Sequence, residues 1–189
     1  MQHLCMNRQW NFDARLKEWA QAEEDGDAQA HAAFAELAAE GGIAYRRERL
    51  AGHFTASSWL VSGDSRRTLL THHRKLGRWL QLGGHADGDE DLARVALKEA
   101  EEESGLTGLS VEPEIFDLDR HWIPDHKGVP GHWHYDVRFV VYAGDSEEFA
   151  ISEESIDLAW RDIAALAADV DADESLRRMA RRWLYRTLS

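Results

Sequence analysis

The chain of 189 residues carries a formal net charge of −13, from 22 Lys and Arg residues against 35 Asp and Glu residues. This length suits one domain with a sizeable core and a small extension, and the charge argues against binding to nucleic acid or to anionic membranes. Cys5 is the single cysteine, which excludes an internal disulfide bond. Because the sequence shows neither an apolar run of membrane-spanning length nor a signal peptide, we expect a cytoplasmic protein.

The first part of the chain predicts two helices within residues 11–40, separated by an acidic segment that contains Gly26. Apolar side chains recur in both at helical spacing: Phe12, Leu16 and Trp19, then Phe34 and Leu37. We interpret residues 1–50 as a helical extension that packs on a main domain of residues 51–189.

Two strands are predicted next, over 53–62 and 67–72, joined by a turn at Gly63-Asp64. A basic run then leads into a short strand at 79–82 and the pair Gly83-Gly84, which we interpret as a glycine loop. Cations form strong hydrogen bonds with phosphate oxygens. The basic run therefore offers candidate substrate-binding residues, with a solvated loop as the alternative: Arg74, Lys75 and Arg78.

The following helix is the most informative element, and Gly105 is expected to end it. A rotation of about 100° per residue places its three glutamates on one face, the side of Leu92 and Ala96. These glutamates are Glu99, Glu102 and Glu103. A face that begins apolar and should pack inward thus turns acidic, where like charges repel. A hard divalent cation such as Mg²⁺ would make this arrangement favourable, since it prefers oxygen ligands.

A second candidate site lies on a strand predicted over 132–142, where polar and apolar side chains alternate. His132, His134 and Asp136 share its polar face, which suits transition-metal binding, substrate binding or general-base catalysis. A polar strand face without a function is an equal alternative. His121 and His126 precede this strand and are candidates to converge on it.

The remaining segments complete an α/β pattern. At least one strand is predicted within 109–122, a loop over 123–131, a loop and short strand over 152–160, and helices over 162–167 and 173–188. We expect the arginines of the last helix to form a solvated face. Strands mixed with helices that must cover a sheet predict an α/β sandwich.

The segment from Gly84 to Leu106 resembles the signature of the Nudix hydrolases. Seven positions match at fixed spacing: Gly84, Glu90, Glu99, Glu102, Glu103, Gly105 and Leu106. The sequence departs from the signature at Lys98, where the family has Arg, and at Ala100, where a larger apolar residue is usual. Lys98 keeps the positive charge but lacks the bidentate fork of Arg.

The resemblance implies an α/β/α sandwich around a central mixed sheet. It also implies divalent-metal-dependent hydrolysis of a diphosphate linkage, in a nucleoside diphosphate joined to another group or in a related small diphosphate. Mg²⁺ is the expected cofactor, with Mn²⁺ as a substitute. The implied metal ligands are the carbonyl of Gly83 and the carboxylates of Glu102, Glu103 and Glu99, the last as ligand or as base, with Lys98 beside them. Glu154 is the candidate for a further carboxylate from outside the signature.

Two alternatives keep the fold and change the function. A non-catalytic nucleotide-binding or regulatory module is one, with Lys98 as the sign of lost activity. An isomerase of isopentenyl diphosphate is the other, and it requires a cysteine in its site. Cys5 lies far from the signature, which disfavours the isomerase. The sequence leaves the substrate open, and no residue indicates whether the chain forms a homodimer.

Overall fold

The computed structural model describes residues 10–22, 28–73, 77–126, 128–144, 147–150 and 155–188. Its helices are α1 (Phe12–Ala22), α2 (Ala28–Ala38), α3 (Leu92–Ser104), α4 (Ile163–Ala168) and α5 (Glu174–Leu188), with a 3-10 helix at Gly41–Tyr45. Its strands are β1 (Gly52–Val61), β2 (Arg67–His73), β3 (Arg78–Leu80), β4 (Leu82–His85), β5 (Ser110–Val111), β6 (Asp117–Ile123), β7 (His132–Tyr142) and β8 (Ser155–Asp162). None of the helices in the described part of the chain has the length and apolar character that crossing a membrane requires.

These eight strands form one mixed sheet. Strands β1 and β7 lie at its centre and pair in parallel, from Gly52 opposite Trp133 to Val61 opposite Tyr142. The other pairings are antiparallel: β4 on β1, β6 and β5 on β7, and β2 with β1, β3 and β8. The predicted mixed sheet is confirmed.

Helices cover both faces of the sheet, as the sandwich prediction requires. On one face, α3 packs through Leu92 and Ala96 on Phe54 and Val137. On the other, α4 and α5 pack on Trp59, Val140 and their neighbours. The N-terminal helices belong to the first cluster through four buried side chains: Phe12, Leu16, Phe34 and Leu37. The division of the chain at residue 50 stays a prediction.

Local signals fix the ends of α3. The carboxylate of Asp91 accepts a hydrogen bond from the N–H of Arg94, which caps the N-terminus. Gly105 adopts φ +68° and its N–H donates to the carbonyl of Glu101, so the helix ends at the predicted glycine. These two ends determine where the last turns of α3 meet the sheet.

The arginines of α5 differ from the expected solvated face. Arg178 donates to the carboxylates of Asp117 and Asp119, and Arg182 donates to the carbonyl of Phe116. The expectation is wrong for these two residues because the polar groups at the start of β6 lie beneath α5. Their guanidinium groups therefore tie the last helix to the sheet.

Candidate active site

The acidic end of α3 lies against β4, which contains the two glycines. The carboxylate of Glu103 accepts a hydrogen bond from the N–H of Gly83 at 2.8 Å. A Cβ atom at Gly84 would collide with the carboxylate of Glu99. Gly83 and Gly84 pair with β1 as strand residues, so the predicted glycine loop is wrong. Neither residue adopts a positive φ. Gly83 allows β4 to approach the backbone of β1 closely, and Gly84 leaves the space that the Glu99 carboxylate fills.

The carbonyl of Gly83 belongs to the same edge. In an antiparallel pair, two opposite residues exchange both of their backbone hydrogen bonds or neither. Gly83 lies opposite Ser57 but gives its N–H to Glu103, so its carbonyl also faces away from β1. Two carboxylates and one backbone oxygen therefore meet along β4.

Glu102 differs from the other two glutamates. Its side chain is 59% exposed, whereas that of Glu99 is 18% exposed. The expectation that all three glutamates point inward is therefore wrong for Glu102. The buried side of α3 is centred on Ala96 and Ala100, and Glu102 lies roughly 160° from Ala100 around the axis.

Lys98 lies between two of the carboxylates. Its ammonium Nζ is 3.3 Å from Glu102 and 3.5 Å from Glu99. The ion pair with Glu102, supported by the charge of Glu99, raises the pKa of Lys98 above its ordinary value. The side chain thus offsets part of the repulsion along this helix face, as a point charge without a bidentate contact.

The donor set fits a hard divalent cation. Carboxylate and carbonyl oxygens are the ligands that Mg²⁺ prefers. The edge of β4 at Gly83 and Gly84, which we call the glycine edge, supports the same conclusion. Any side chain at Gly84 would occupy the space that the Glu99 carboxylate fills. Of the predicted residues, Gly83, Glu99 and Glu103 come together at this end of α3, and Lys98 connects Glu102 to Glu99. Their function as metal ligands stays a prediction.

A polar surface occupies part of the sheet face opposite α3. It is built on β1, β4, β6 and β7, where partners across the ladder point to the same side. Its ionisable residues are His53, His85, Asp117, Asp119, His121, His132, His134, Asp136 and Arg138. We call this set the polar face. The predicted alternation in β7 is thereby reproduced, and β1, β4 and β6 extend it.

Asp136 and Arg138 anchor the polar face from within. The Asp136 carboxylate accepts hydrogen bonds from Thr55, Ser57, Gln81 and Arg138. It is buried, so any contribution to substrate binding would be made by positioning these neighbours. The Arg138 guanidinium is 2% exposed and also contacts Asp117 and Asp119. These carboxylates raise the pKa of Arg138 against the opposing effect of burial.

Histidine rings cluster at the end of the polar face. The rings of His53, His85, His121, His132 and His134 form neighbouring pairs with centroids 4.9 to 5.5 Å apart. His121 therefore converges on the predicted pair. His126 does not, since it lies exposed in the 123–131 loop and pairs with Val129.

Three histidines of this cluster, His53, His85 and His134, have lowered pKa values. Burial, together with the charge of Arg47, lowers the pKa of His85 to about 4. Burial and the neighbouring imidazoles lower the pKa of His134 to about 2. Burial also lowers the pKa of His53. At neutral pH these rings are therefore uncharged and keep a nitrogen lone pair.

The other predicted site residues lie elsewhere. Arg78 is in β3 and forms an ion pair with Asp173, just before α5, at 3.0 Å. Arg74, Lys75 and Glu154 fall outside the described residues. Glu90 is exposed and lines a groove of about 630 Å³ at the start of α3, with other acidic groups: Asp87, Asp89 and Asp91.

Sequence reasoning missed His53 and His85. His53 begins a polar/apolar alternation in β1, which is a signal for a shared face, whereas the sequence Leu-Gly-Gly-His of β4 gives no such signal for His85. Their proximity to His134 depends on the parallel register of His53 opposite His134, across about 80 residues of chain. A single sequence does not determine that register.

A mixed sheet between helices, with an acidic helix end held against paired glycines, defines an α/β sandwich protein with a candidate metal site. Comparison with family models supplies the family: the model of the NUDIX domain matches residues 52–183, which is more than half of the chain. The protein therefore belongs to the NUDIX family. No curated protein matches its sequence.

Solved structures show the same fold. A C. elegans Ap4A hydrolase superposes with a TM-score of 0.56 at 16% identity, covering 71% of this chain and 97% of that one. A NUDIX-family hydrolase from Clostridium perfringens gives 0.55 at 23% identity, covering 72% and 98%. An E. coli dihydroneopterin triphosphate pyrophosphohydrolase gives 0.55 at 17% identity, covering 70% and 95%. At these identities the likeness establishes the NUDIX fold.

Proposed function

We propose that the protein is a divalent-metal-dependent pyrophosphohydrolase. Its substrate class is a nucleoside diphosphate joined to another group, or a related small diphosphate. One observation carries the proposal: Glu103 is held by the N–H of Gly83 while Glu99 occupies the space beside Gly84. This packing fixes two carboxylates of the family signature at one strand edge, where both could bind a cation that also contacts a phosphate oxygen of the substrate.

The residues divide the work as follows. Glu99, Glu102, Glu103 and the Gly83 carbonyl would hold Mg²⁺ or Mn²⁺, which neutralises phosphate charge and activates water when bound. Glu103 is the most fixed of these ligands because the backbone of β4 holds its carboxylate. Glu99 is half-buried, and its carboxylate can orient or deprotonate the attacking water. Lys98 keeps Glu99 and Glu102 together before the cation arrives.

Two of the three structural neighbours described above guide the choice of substrates to test. One is an Ap4A hydrolase and another a dihydroneopterin triphosphate pyrophosphohydrolase, so both act on chains of linked phosphates. A panel should contain dinucleoside polyphosphates, nucleoside triphosphates, nucleoside diphosphate sugars and non-nucleotide diphosphates. Purified protein with Mg²⁺ or Mn²⁺ should release a phosphate or a monophosphate product from at least one class.

The decisive variant is Glu103→Gln. Its amide oxygen can still accept from the N–H of Gly83, so the fold is kept while the negative charge is removed. We expect turnover to fall by about 100-fold or more, the upper end of what losing even an outer-shell partner costs at a metal site. Glu101→Gln is the matched control, since Glu101 is exposed on the same helix. Equal turnover in the Glu103→Gln protein and the wild type would refute the assignment.

The alternative is a nucleotide-binding module without turnover. The observation that favours it is the position of Lys98, which contacts two carboxylates from an exposed side chain without a bidentate contact. Calorimetry with the same panel separates the two functions. Binding of a diphosphate without product, with either cation, would support the module and contradict the hydrolase.

A further inference from the structure

Three buried or half-buried histidines converge at the end of the polar face. His53 lies opposite His134 in the parallel pair of β1 and β7. His132 lies two residues before His134, on the same face of β7. One nitrogen of each ring lies within 4.8 Å of the corresponding nitrogen of the other two. His53 and His132 are only 3% and 8% exposed. The cluster therefore aims three imidazole nitrogens at one point inside the protein.

Backbone carbonyls fix the tautomers of two of these rings. His132 Nδ1 lies 2.8 Å from the carbonyl oxygen of Pro130, and His53 Nδ1 lies 3.4 Å from that of Arg49. A carbonyl only accepts, so each Nδ1 carries the proton and each Nε2 keeps its lone pair. A hydrogen bond from the outer ring nitrogen to a carbonyl is the usual support of a metal-ligating histidine.

The described residues do not supply a hydrogen-bond donor for every nitrogen lone pair of these three rings. His134 Nε2 lies 3.2 Å from His132 Nε2 and can donate one proton to it. His53 Nε2 is buried and has no hydrogen-bond partner among the described residues. A buried polar atom in this state destabilises the fold. A metal ion between the rings would accept the Nε2 lone pairs of His53 and His132 and, once the proton of His134 resides on Nδ1, the Nε2 lone pair of His134 as well.

We propose that His53, His132 and His134 form a binding site for a divalent transition metal, with Zn²⁺ as the best-matched ion. Imidazole nitrogen is a ligand for Zn²⁺ and its neighbours in the series, whereas the oxygen ligands on α3 select Mg²⁺. Tetrahedral bonds of about 2.0–2.1 Å place two ligand nitrogens roughly 3.3 Å apart. His132 and His134 already have this spacing.

Three histidines leave a fourth position, as in zinc sites that bind a water or a substrate oxygen. His85 stands nearest to this position, with its ring centroid 4.9 Å from that of His134 and 5.3 Å from that of His53. It lies two residues beyond Gly83 on β4, so the two sites are neighbours along one strand. The fourth ligand is thus His85 or an oxygen that enters from the polar face.

Metal binding tests the proposal without reference to hydrolysis. Tag-free protein is stripped with a chelator and titrated with Co²⁺, whose visible absorption reports tetrahedral nitrogen ligands, and then with Zn²⁺ by calorimetry. We expect one strong site per chain and a rise in melting temperature with Zn²⁺. His134→Gln should weaken Zn²⁺ binding by about 100-fold or more. His126→Gln, an exposed histidine outside the cluster, should leave the affinity unchanged.

Two results would overturn the site. One is Zn²⁺ affinity that survives in the His134→Gln protein. The other is affinity that disappears in the Glu103→Gln protein, because it would place the ion on α3. X-ray absorption at the zinc edge of the loaded wild type gives an answer even where a histidine variant does not fold. A first shell with three imidazoles supports the site, and a shell of oxygen ligands alone contradicts it. Failure of this site would leave the proposed hydrolase untouched, since its test uses Mg²⁺ and turnover.

Discussion

Replacing Gly84 with alanine should separate the packing of the glycine edge from its chemistry. The new Cβ would collide with Cδ and Oε2 of Glu99 and lie 3.1 Å from Oε1. Gly84 does not adopt a positive φ, so alanine fits its backbone. The side chain of Glu99 must therefore yield, and withdrawing it to ordinary contact distance takes a shift of roughly 1 Å. A misplacement of that size at a reacting centre costs about 100-fold in rate.

The effect on stability should be small by comparison. Glycine to alanine at a compatible position stabilises by about 0.4–1 kcal/mol through the unfolded state, which offsets part of the side-chain rearrangement. Gly83→Ala should behave in the opposite way, since its Cβ would lie 2.6 Å from the carbonyl oxygen of Ala56 and 2.7 Å from Cα of Ser57. Backbone atoms cannot swing aside, so β4 would have to separate from β1 at a cost of about 1–3 kcal/mol.

The assay combines three readouts for each variant: Mn²⁺ affinity by calorimetry, kcat/KM on the substrate identified by the panel, and denaturant unfolding. Gly63→Ala serves as the control, because its Cβ would lie 3.8 Å from the nearest atom, Oε1 of Glu147. Glu99→Asp, which is shorter by one methylene, supplies a double-mutant cycle with Gly84→Ala. We expect the two changes to be strongly non-additive because they act through one contact. A Gly84→Ala protein with wild-type Mn²⁺ affinity and turnover would refute the reasoning.

Three further predictions concern the support of the site. Arg138→Met should lower the free energy of unfolding by about 3–5 kcal/mol, because it leaves buried carboxylates uncompensated. Arg181→Met, at an exposed position of α5, should change it by less than about 1 kcal/mol. Similar losses for the two variants in chemical denaturation would contradict this prediction. Ala100→Leu should cost about 1–3 kcal/mol in the same assay, because Ala100 is fully buried, and an unchanged stability would reveal a void. The hydrogen bond from His121 and the charge of Arg138 hold the pKa of Asp119 below its ordinary value despite burial. The ionised Asp119 therefore stabilises the fold fully above about pH 4, and this stabilisation is lost as the pH falls further. Asp119→Asn should make the free energy of unfolding depend less on pH in that range, and an unchanged pH dependence would contradict the prediction.

The sequence predicted the elements well where their signals are local. The apolar stripe and Gly105 placed α3 and its end, and the alternation in 132–142 placed β7 with its polar face. The glycine pair shows the limit of local reasoning. Glycine tolerates a positive φ and also permits close contact, and only the tertiary packing of Ser57 and Glu99 distinguishes these causes.

The candidate site was predictable in part for the same reason. Glu99 and Glu103 lie at the glycine edge as the helical wheel suggested, but the side chain of Glu102 points away from the buried side of the helix. Moving the centre of the buried side of α3 by one residue rotates the predicted inward face by roughly 100°, and a rotation of that size decides whether Glu102 points inward or outward. His53 joined His134 through a register between distant strands, and no helical or strand periodicity encodes such a register.

The two candidate sites use the same strands for opposite chemistry. Along β4, Gly83 presents its backbone outward to Glu103, while His85 presents a ring to the polar face. Side chains of β1 alternate in the same way, with Ala56 beneath α3 and Ser57 bonded to Asp136 on the other face. Oxygen donors thus collect at the strand edge beside α3 and nitrogen donors collect on the polar face. If both proposed sites bind their ions, this separation would keep a hard cation and a borderline cation close together, each with its preferred ligands.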